Sequence, residues 1–347
     1  PQPWLRQAPR GGARKLGAAR RFLMSRSSPA LAVEDLSVDI RGVTVLDHVS
    51  LAVSPGEALG LVGESGCGKS MTALAIMGLL PRGARVGGGS VRLLGQDLVG
   101  ASEDALCKIR GGAVGMIFQE PGACLDPVMR IGRQIGESLR LHRGLTGAKQ
   151  DAELRKLLVE VGLTDTERVT RAYPHELSGG MQQRAMIAMA LAGEPVVLIA
   201  DEPTTALDAR IASQILDLLD TLRRERGLAL LLISHDLAVI GGRCDRVMVM
   251  YAGRVVEVAP AAQVFADARH PYTAALIAAS PGVAGVASKT LLRDIPGQLP
   301  APGSTYEGCA FAERCALARP ACTRRTPLWS ALESGRGARC LQYEDGW

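Results

Sequence analysis

Apolar residues in this chain recur with two different periods, and the alternation between them predicts a layered α/β protein. Residues 57–63, 113–118, 196–201, 229–234 and 246–252 form short, largely uninterrupted apolar runs. Runs of this length are those of strands buried on both faces of a mostly parallel sheet. Residues 31–53 alternate apolar and polar positions instead, which predicts an antiparallel edge sheet. From 128 to 193 the spacing is mostly helical, with Gln134–Arg143 and Ala152–Val161 as amphipathic members. Met71–Leu80 and Met181–Leu191 continue that helical spacing. Residues 280–306 carry Pro281, Pro296, Pro300 and Pro302 and read as a loop that wraps over the surface. No internal repeat is evident. No apolar run reaches the roughly 18 residues needed to span a bilayer.

A length of 347 residues allows two or three domains. The hydrophobic content of 47% can fill a core, and the aromatic content of 3% makes that core aliphatic. The net charge of +5 is unevenly placed. Residues 1–30 hold Arg6, Arg10, Arg14, Lys15, Arg20, Arg21 and Arg26 and no acid. Taking those seven from the 40 basic residues leaves 33 against 35 acidic, a net of −2 for the body. The body is therefore no polyanion binder, and nucleic acid is not expected as a partner. A basic tail can touch anionic lipid or nucleic acid. The preferred reading is a disordered leader, or an upstream extension of the reading frame with Met24 as the start, since no secretory apolar segment is present.

Gly63-Glu64-Ser65-Gly66-Cys67-Gly68-Lys69-Ser70 fits G-x-x-x-x-G-K-[ST] in full. It follows the apolar run Ala58–Val62 and precedes the helical stretch opened by Met71, so the order is strand, glycine loop, helix. Such a loop turns several backbone N–H groups toward one phosphate, and the new helix adds its positive end. Lys69 is expected to neutralise the β- and γ-phosphates, and Ser70 to place its hydroxyl on Mg²⁺. An ordinary glycine-rich turn would carry no Lys-Ser at this point. Far downstream, the run Val196–Ala200 ends in Asp201-Glu202, where open α/β sheets bind ligands. Asp201 is expected to hold Mg²⁺, and Glu202 to polarise the attacking water as general base.

These residues, with Gln119 after Val114–Phe118, Leu177-Ser178-Gly179-Gly180-Met181-Gln182-Gln183-Arg184, the loop Ala206-Leu207-Asp208, and His235 after Leu230–Ser234, resemble the ATP-binding subunits of ABC transporters. The resemblance covers about residues 31–260. It implies an α/β cassette of the P-loop NTPase class: a mixed or parallel core sheet, an antiparallel edge sheet and an inserted α-helical subdomain at about 128–193. It implies Gln119 as a sensor of Mg²⁺ and the attacking water, and His235 as the switch contacting the γ-phosphate. Ser178, Gly179, Gly180 and Gln182 are the signature that closes on the nucleotide of the opposite subunit, and Asp208 lies at the dimer seam. The start of the signature helix offers a second anion site, which is why the chain should work as a dimer. One position departs from the pattern: Ile40 stands where the family usually stacks an aromatic residue on adenine, so ATP over GTP is carried by the resemblance.

Phe118-Gln119-Glu120-Pro121, Leu125-Asp126-Pro127-Val128 and His270-Pro271-Tyr272-Thr273 resemble the oligopeptide and dipeptide importer branch. The implied partners are a second ATP-binding subunit, more often a paralogue than a second copy, two membrane permease subunits that supply the passage this chain lacks, and an extracytoplasmic solute-binding protein. The implied location is peripheral, on the cytoplasmic face of the plasma membrane. Nickel, antimicrobial peptide or another solute is an alternative cargo, and a soluble non-transport ABC ATPase is a rival reading. The latter generally carries coiled-coil insertions or two cassettes, and this chain has neither. The extension, 261–347, holds Cys309, Cys315, Cys322 and Cys340. Gly308-Cys309-Ala310-Phe311 with Arg314-Cys315 resembles tails that in some members of the branch hold a [4Fe–4S] cluster; zinc and free thiols remain alternatives. Cys107, Cys124 and Cys244 are scattered and read as ordinary small residues. Cys67, within the phosphate loop, is a candidate for oxidation sensitivity.

Overall fold

The computed structural model describes residues 28–205, 207–280, 294–304 and 306–344. Nearly all of the basic leader, Ala206 and most of the first half of the 280–306 loop lie outside the described residues.

Two sheets form among the described residues. The smaller is antiparallel and consists of β1 (Leu31–Ile40), β2 (Val43–Val53), β4 (Ala84–Leu93) and β5 (Gln96–Asp97), in the order β2-β1-β4-β5. The larger contains β3 (Ala58–Val62), β6 (Val114–Ile117), β7 (Val197–Asp201), β8 (Ala229–Ser234), β9 (Arg246–Tyr251), β10 (Arg254–Pro260), β11 (Ser330–Leu332) and β12 (Arg336–Ala338). Its order is β11-β12-β10-β9-β3-β8-β7-β6, parallel from β9 to β6 and antiparallel beyond β9.

Every residue of β3, β7 and β8 is buried, as the continuous apolar runs require. Successive side chains of a strand point to opposite faces, and each strand accordingly feeds two cores. Leu59, Leu61, Ile199, Leu231 and Ile233 pack against the small sheet and the helix Lys69–Ile76. Ala58, Val62, Leu198, Ala200, Leu230 and Leu232 pack against the helices on the other face. Those helices include Ile131–Arg143, which buries Ile131, Ile135 and Leu139 at intervals of four, and Gly147–Glu160, which buries Leu154, Leu157 and Leu158. Both begin a few residues before the predicted spans.

The C-terminal extension does not stand apart from the cassette. Glu257 and Val258 of β10 pair with Ala338 and Gly337 of β12, so the tail lengthens the cassette's own sheet. Glu257 is 0% exposed. Its carboxylate accepts the N–H groups of Arg269 and His270 at 2.8 Å each and lies 3.7 Å from Arg336. A buried carboxylate is tolerable only with such partners, and these tie the tail to the cassette edge. Among the described residues no helix is long and apolar enough to cross a membrane.

Candidate nucleotide-binding site

The parallel pairing brings three strand ends together: Val62 sits beside Ser234, and Asp201 beside Ile233. The loops that leave these ends carry Gly63–Lys69, Glu202 and His235. They border an open cleft of about 860 Å³, lined by Ser65, Gly66, Gly68, Lys69, Ser70, Met71, Gln119, Glu202 and Ile40, within the size range of small-molecule sites.

Glycine is required where the loop closes. Gly68 has φ +111°, a region L side chains rarely adopt, and a Cβ there would lie 2.6 Å from Leu46. A Cβ on Gly63 would lie 2.3 Å from the Met250 carbonyl. Lys69 is buried, and its ammonium donates to the carbonyls of Gly63 at 2.9 Å and Glu64 at 3.1 Å. The loop thus holds its own cation in place.

The hydroxyl of Ser70 donates to Oδ1 of Asp201 at 3.1 Å. Asp201 is 6% exposed, and burial pushes its carboxyl above the usual range, with Glu202 adding to the rise while Ser70 and Lys69 oppose it. A divalent cation beside Asp201 would reverse that preference. One carboxylate, one hydroxyl and the phosphates of a nucleotide are the hard-oxygen set Mg²⁺ favours, so the residues present fit the ion.

Three groups converge on one oxygen of Glu202. Oε2 accepts from the Thr205 hydroxyl at 2.9 Å and from Gln119 Nε2 at 3.3 Å, and His235 Nδ1 lies 3.1 Å away. Glu202 also has φ +47°, a costly conformation for a side chain of this size, held by its N–H donating to the Ile233 carbonyl at 3.0 Å. Thr205 is a contact that sequence reasoning missed; its place beside Glu202 follows from the turn after β7.

Ser178, Gly179, Gly180 and Gln182 do not line this cleft. Ser178 caps the helix Gly179–Leu191 by accepting from Met181 N–H at 3.4 Å, and Gln182 donates to the carbonyls of Pro174 and Leu177. Asp208 caps the neighbouring helix Ala209–Arg226. The start of the signature helix therefore lies outside the cleft.

Two contacts come from far along the chain. The Tyr272 hydroxyl accepts the N–H of Glu64 at 2.9 Å, and Arg314 pairs with the Glu64 carboxylate. Pro300–Ser304 and Tyr306 also line the cleft. Nothing local in the sequence marks these partners; the sole signal is the Pro/Gly-rich character of the connecting loop.

The fold and this cleft define a P-loop nucleoside triphosphatase. Residues 46–205 match the ABC transporter family, and residues 256–322 match the oligopeptide/dipeptide transporter C-terminal region. A Brucella abortus protein named "Putative peptide import ATP-binding protein" is 45% identical over 320 residues, covering 91% of this chain and 95% of its own. A second B. abortus protein of that description is 44% identical over 338 residues, covering 93% and 99%. Among solved structures, CbiO1 of Clostridium perfringens, part of an ABC transporter complex, aligns with a TM-score of 0.61 at 27% identity over 70% of this chain and 92% of its own. The ATP-binding cassette MJ0796, solved as a dimer with ADP and Pi after hydrolysis, aligns at 0.60 and 28% identity over 67% and 98%. The chain belongs to the ATP-binding subunits of ABC transporters, in the branch that carries the oligopeptide/dipeptide C-terminal region, and it hydrolyses ATP to drive transport.

Two expectations about cysteine are corrected. Cys67 is 1% exposed, and burial pushes its thiol up, so neither solvent access nor thiolate character favours oxidation. Among the described residues, no group of three or more His, Cys, Asp or Glu side chains is arranged to hold a metal ion. The iron–sulfur expectation for Cys309, Cys315, Cys322 and Cys340 therefore lacks a formed metal site. The four are free thiols that line one small apolar pocket with Phe311, Leu317, Pro327 and Leu341. Burial pushes Cys309 up to about 11 and raises Cys315 and Cys340. Cys322 Sγ accepts the N–H of Arg319 at 3.4 Å.

Proposed function

We propose that this chain powers the import of oligopeptides or dipeptides from the cytoplasmic face of the membrane. Two such cassettes, this one and a paralogue, enclose two ATP molecules head to tail beneath two permease subunits fed by an extracytoplasmic solute-binding protein. The observation that carries this reading is the separation of the two anion-binding elements. The phosphate loop lines the cleft, while the Ser178–Gly180 helix start lies outside it, a separation that supports a nucleotide held by another chain. The match of residues 256–322 to the peptide-transporter C-terminal region supports the cargo class.

Within each site, Gly63–Ser70 and Met71 bind the triphosphate and Ile40 offers apolar contact to the base. Ser70, Asp201 and Gln119 would hold Mg²⁺, which supplies charge neutralisation at the phosphates. Glu202 accepts a proton from the attacking water, and His235 and Gln119 fix the orientation of its carboxylate. Closure of the pair draws Gln119 and the helices at 131–191 against the permease, and hydrolysis releases it. Co-isolation in mild detergent with two permeases and a second cassette, together with peptide-stimulated ATPase in reconstituted vesicles, tests this. Stimulation by a metal ion or sugar instead of peptide would replace the cargo assignment.

A further inference from the structure

Arg314 ends the short turn Ala312–Arg314, one residue before Cys315, yet its guanidinium reaches the phosphate loop. Its two terminal nitrogens lie 2.7 and 2.8 Å from the two carboxylate oxygens of Glu64. Its Nε donates to the Pro296 carbonyl at 2.8 Å, and one terminal nitrogen donates to the Tyr251 hydroxyl at 3.3 Å. The guanidinium also sits 5.8 Å from the Tyr251 ring centre. The Arg314 side chain is 6% exposed and that of Glu64 26%. This is a two-pronged, largely desolvated pair of the kind in which arginine gives geometry as well as charge.

Glu64 is consequently held at three points. Arg314 holds its carboxylate, Tyr272 its N–H, and Lys69 its carbonyl. All three holds bear on the backbone that presents N–H groups to phosphate. The carboxylate itself is a liability there, because an unpaired negative charge beside a triphosphate repels it. The partner that neutralises it comes from the C-terminal extension.

We propose that Arg314 is a positioning residue for ATP binding. It fixes and neutralises Glu64, so the extension is a working part of the nucleotide site and not an appendage. The inference rests on the reading of residues 63–70 as the ATP site, and Lys69→Ala serves as the control for that reading. If ATP binding does not depend on Lys69, the site assignment fails; if it depends on Lys69 but not on Arg314, this proposal alone fails.

The test is steady-state ATPase of the intact chain with its partner subunits, separating KM from kcat. Arg314→Ala is expected to raise KM for ATP about tenfold with kcat within about twofold, a difference of about 1.4 kcal/mol. Arg314→Lys, which keeps the charge and loses the fork, should recover part of that loss. Glu64→Gln removes the charge that needs a partner, so adding Arg314→Ala to it should raise KM no more than about twofold. An unchanged KM in Arg314→Ala, or full multiplication of the two effects in the double variant, would overturn the proposal. Should Arg314→Ala fail to fold, Arg314→Lys decides alone: a KM raised about threefold supports the proposal and a wild-type KM contradicts it.

Discussion

Nδ1 of His235 lies 3.1 Å from Oε2 of Glu202, the same oxygen that accepts hydrogen bonds from Thr205 and Gln119. Crowding three partners onto one oxygen turns the carboxylate and leaves its other oxygen free to meet water. General-base catalysis typically contributes about 10²–10⁴-fold. Replacing Glu202 by Gln keeps the shape and removes the basicity. Turnover should fall by about that factor while ATP affinity stays within about threefold, as read by steady-state ATPase and equilibrium nucleotide binding. Near-normal turnover would remove Glu202 from the role of base.

On the proposed reading, His235 orients the Glu202 carboxylate through this contact. His235→Ala should lower kcat about 10²-fold with little change in KM, and Thr205→Val should lower it less, since Thr205 contributes one neutral hydrogen bond of about 1 kcal/mol. A larger loss for Thr205→Val than for His235→Ala would reverse their assigned importance.

A different histidine is expected to make stability depend on pH. His270 is fully buried, accepts the Tyr272 N–H at 3.1 Å through Nδ1, and is pushed by burial down to about 4. A depressed histidine stays neutral in the folded state while the unfolded chain takes up a proton near pH 6.5. Stability is therefore whole above about pH 6.5 and lost as pH falls toward 4. Between pH 7 and 5 the loss from this group is about 2 kcal/mol. His270→Asn, which retains a cap acceptor, should flatten that part of the profile in denaturant titrations. An identical slope in both proteins would show that another group is responsible.

Gly193 tests the packing beneath the sheet edge. A Cβ there would sit 1.8 Å from the Gly111 carbonyl oxygen, and backbone cannot yield as a flexible side chain does. Gly193→Ala should cost about 3 kcal/mol, within the upper range for overpacking, seen as a lowered thermal midpoint. A midpoint within a degree of wild type would mean the two loops separate freely.

The buried parallel strands were legible because each is a continuous apolar run, and the loops that follow them carry the phosphate-binding and acidic residues. Other elements left weaker traces. β4 includes Gly87-Gly88-Gly89, and Gly89 has φ +89° where the register with β1 shifts. Such glycines read as a turn from sequence, although here they let a strand bend. The helix Glu103–Ile109 buries no residue, so it has no apolar period to detect; Ser102 caps it. β11 and β12 are three residues each; β12 is placed by pairing to β10, about 80 positions upstream, and β11 by pairing to β12. The Arg314–Glu64 and Tyr272–Glu64 contacts likewise depend on tertiary closure, which no local pattern encodes.

The central claim is that each nucleotide is gripped by two chains. Its most direct test is the mass of the Glu202→Gln protein by light scattering, with the cassette partner it co-isolates with or, failing one, a second copy. In ATP and Mg²⁺ the account predicts a stable pair that separates in ADP, and Ser178→Glu should abolish the pairing while leaving binding at the phosphate loop intact. A Glu202→Gln protein that binds ATP yet remains a single cassette, or a Ser178→Glu protein with wild-type turnover, would contradict it.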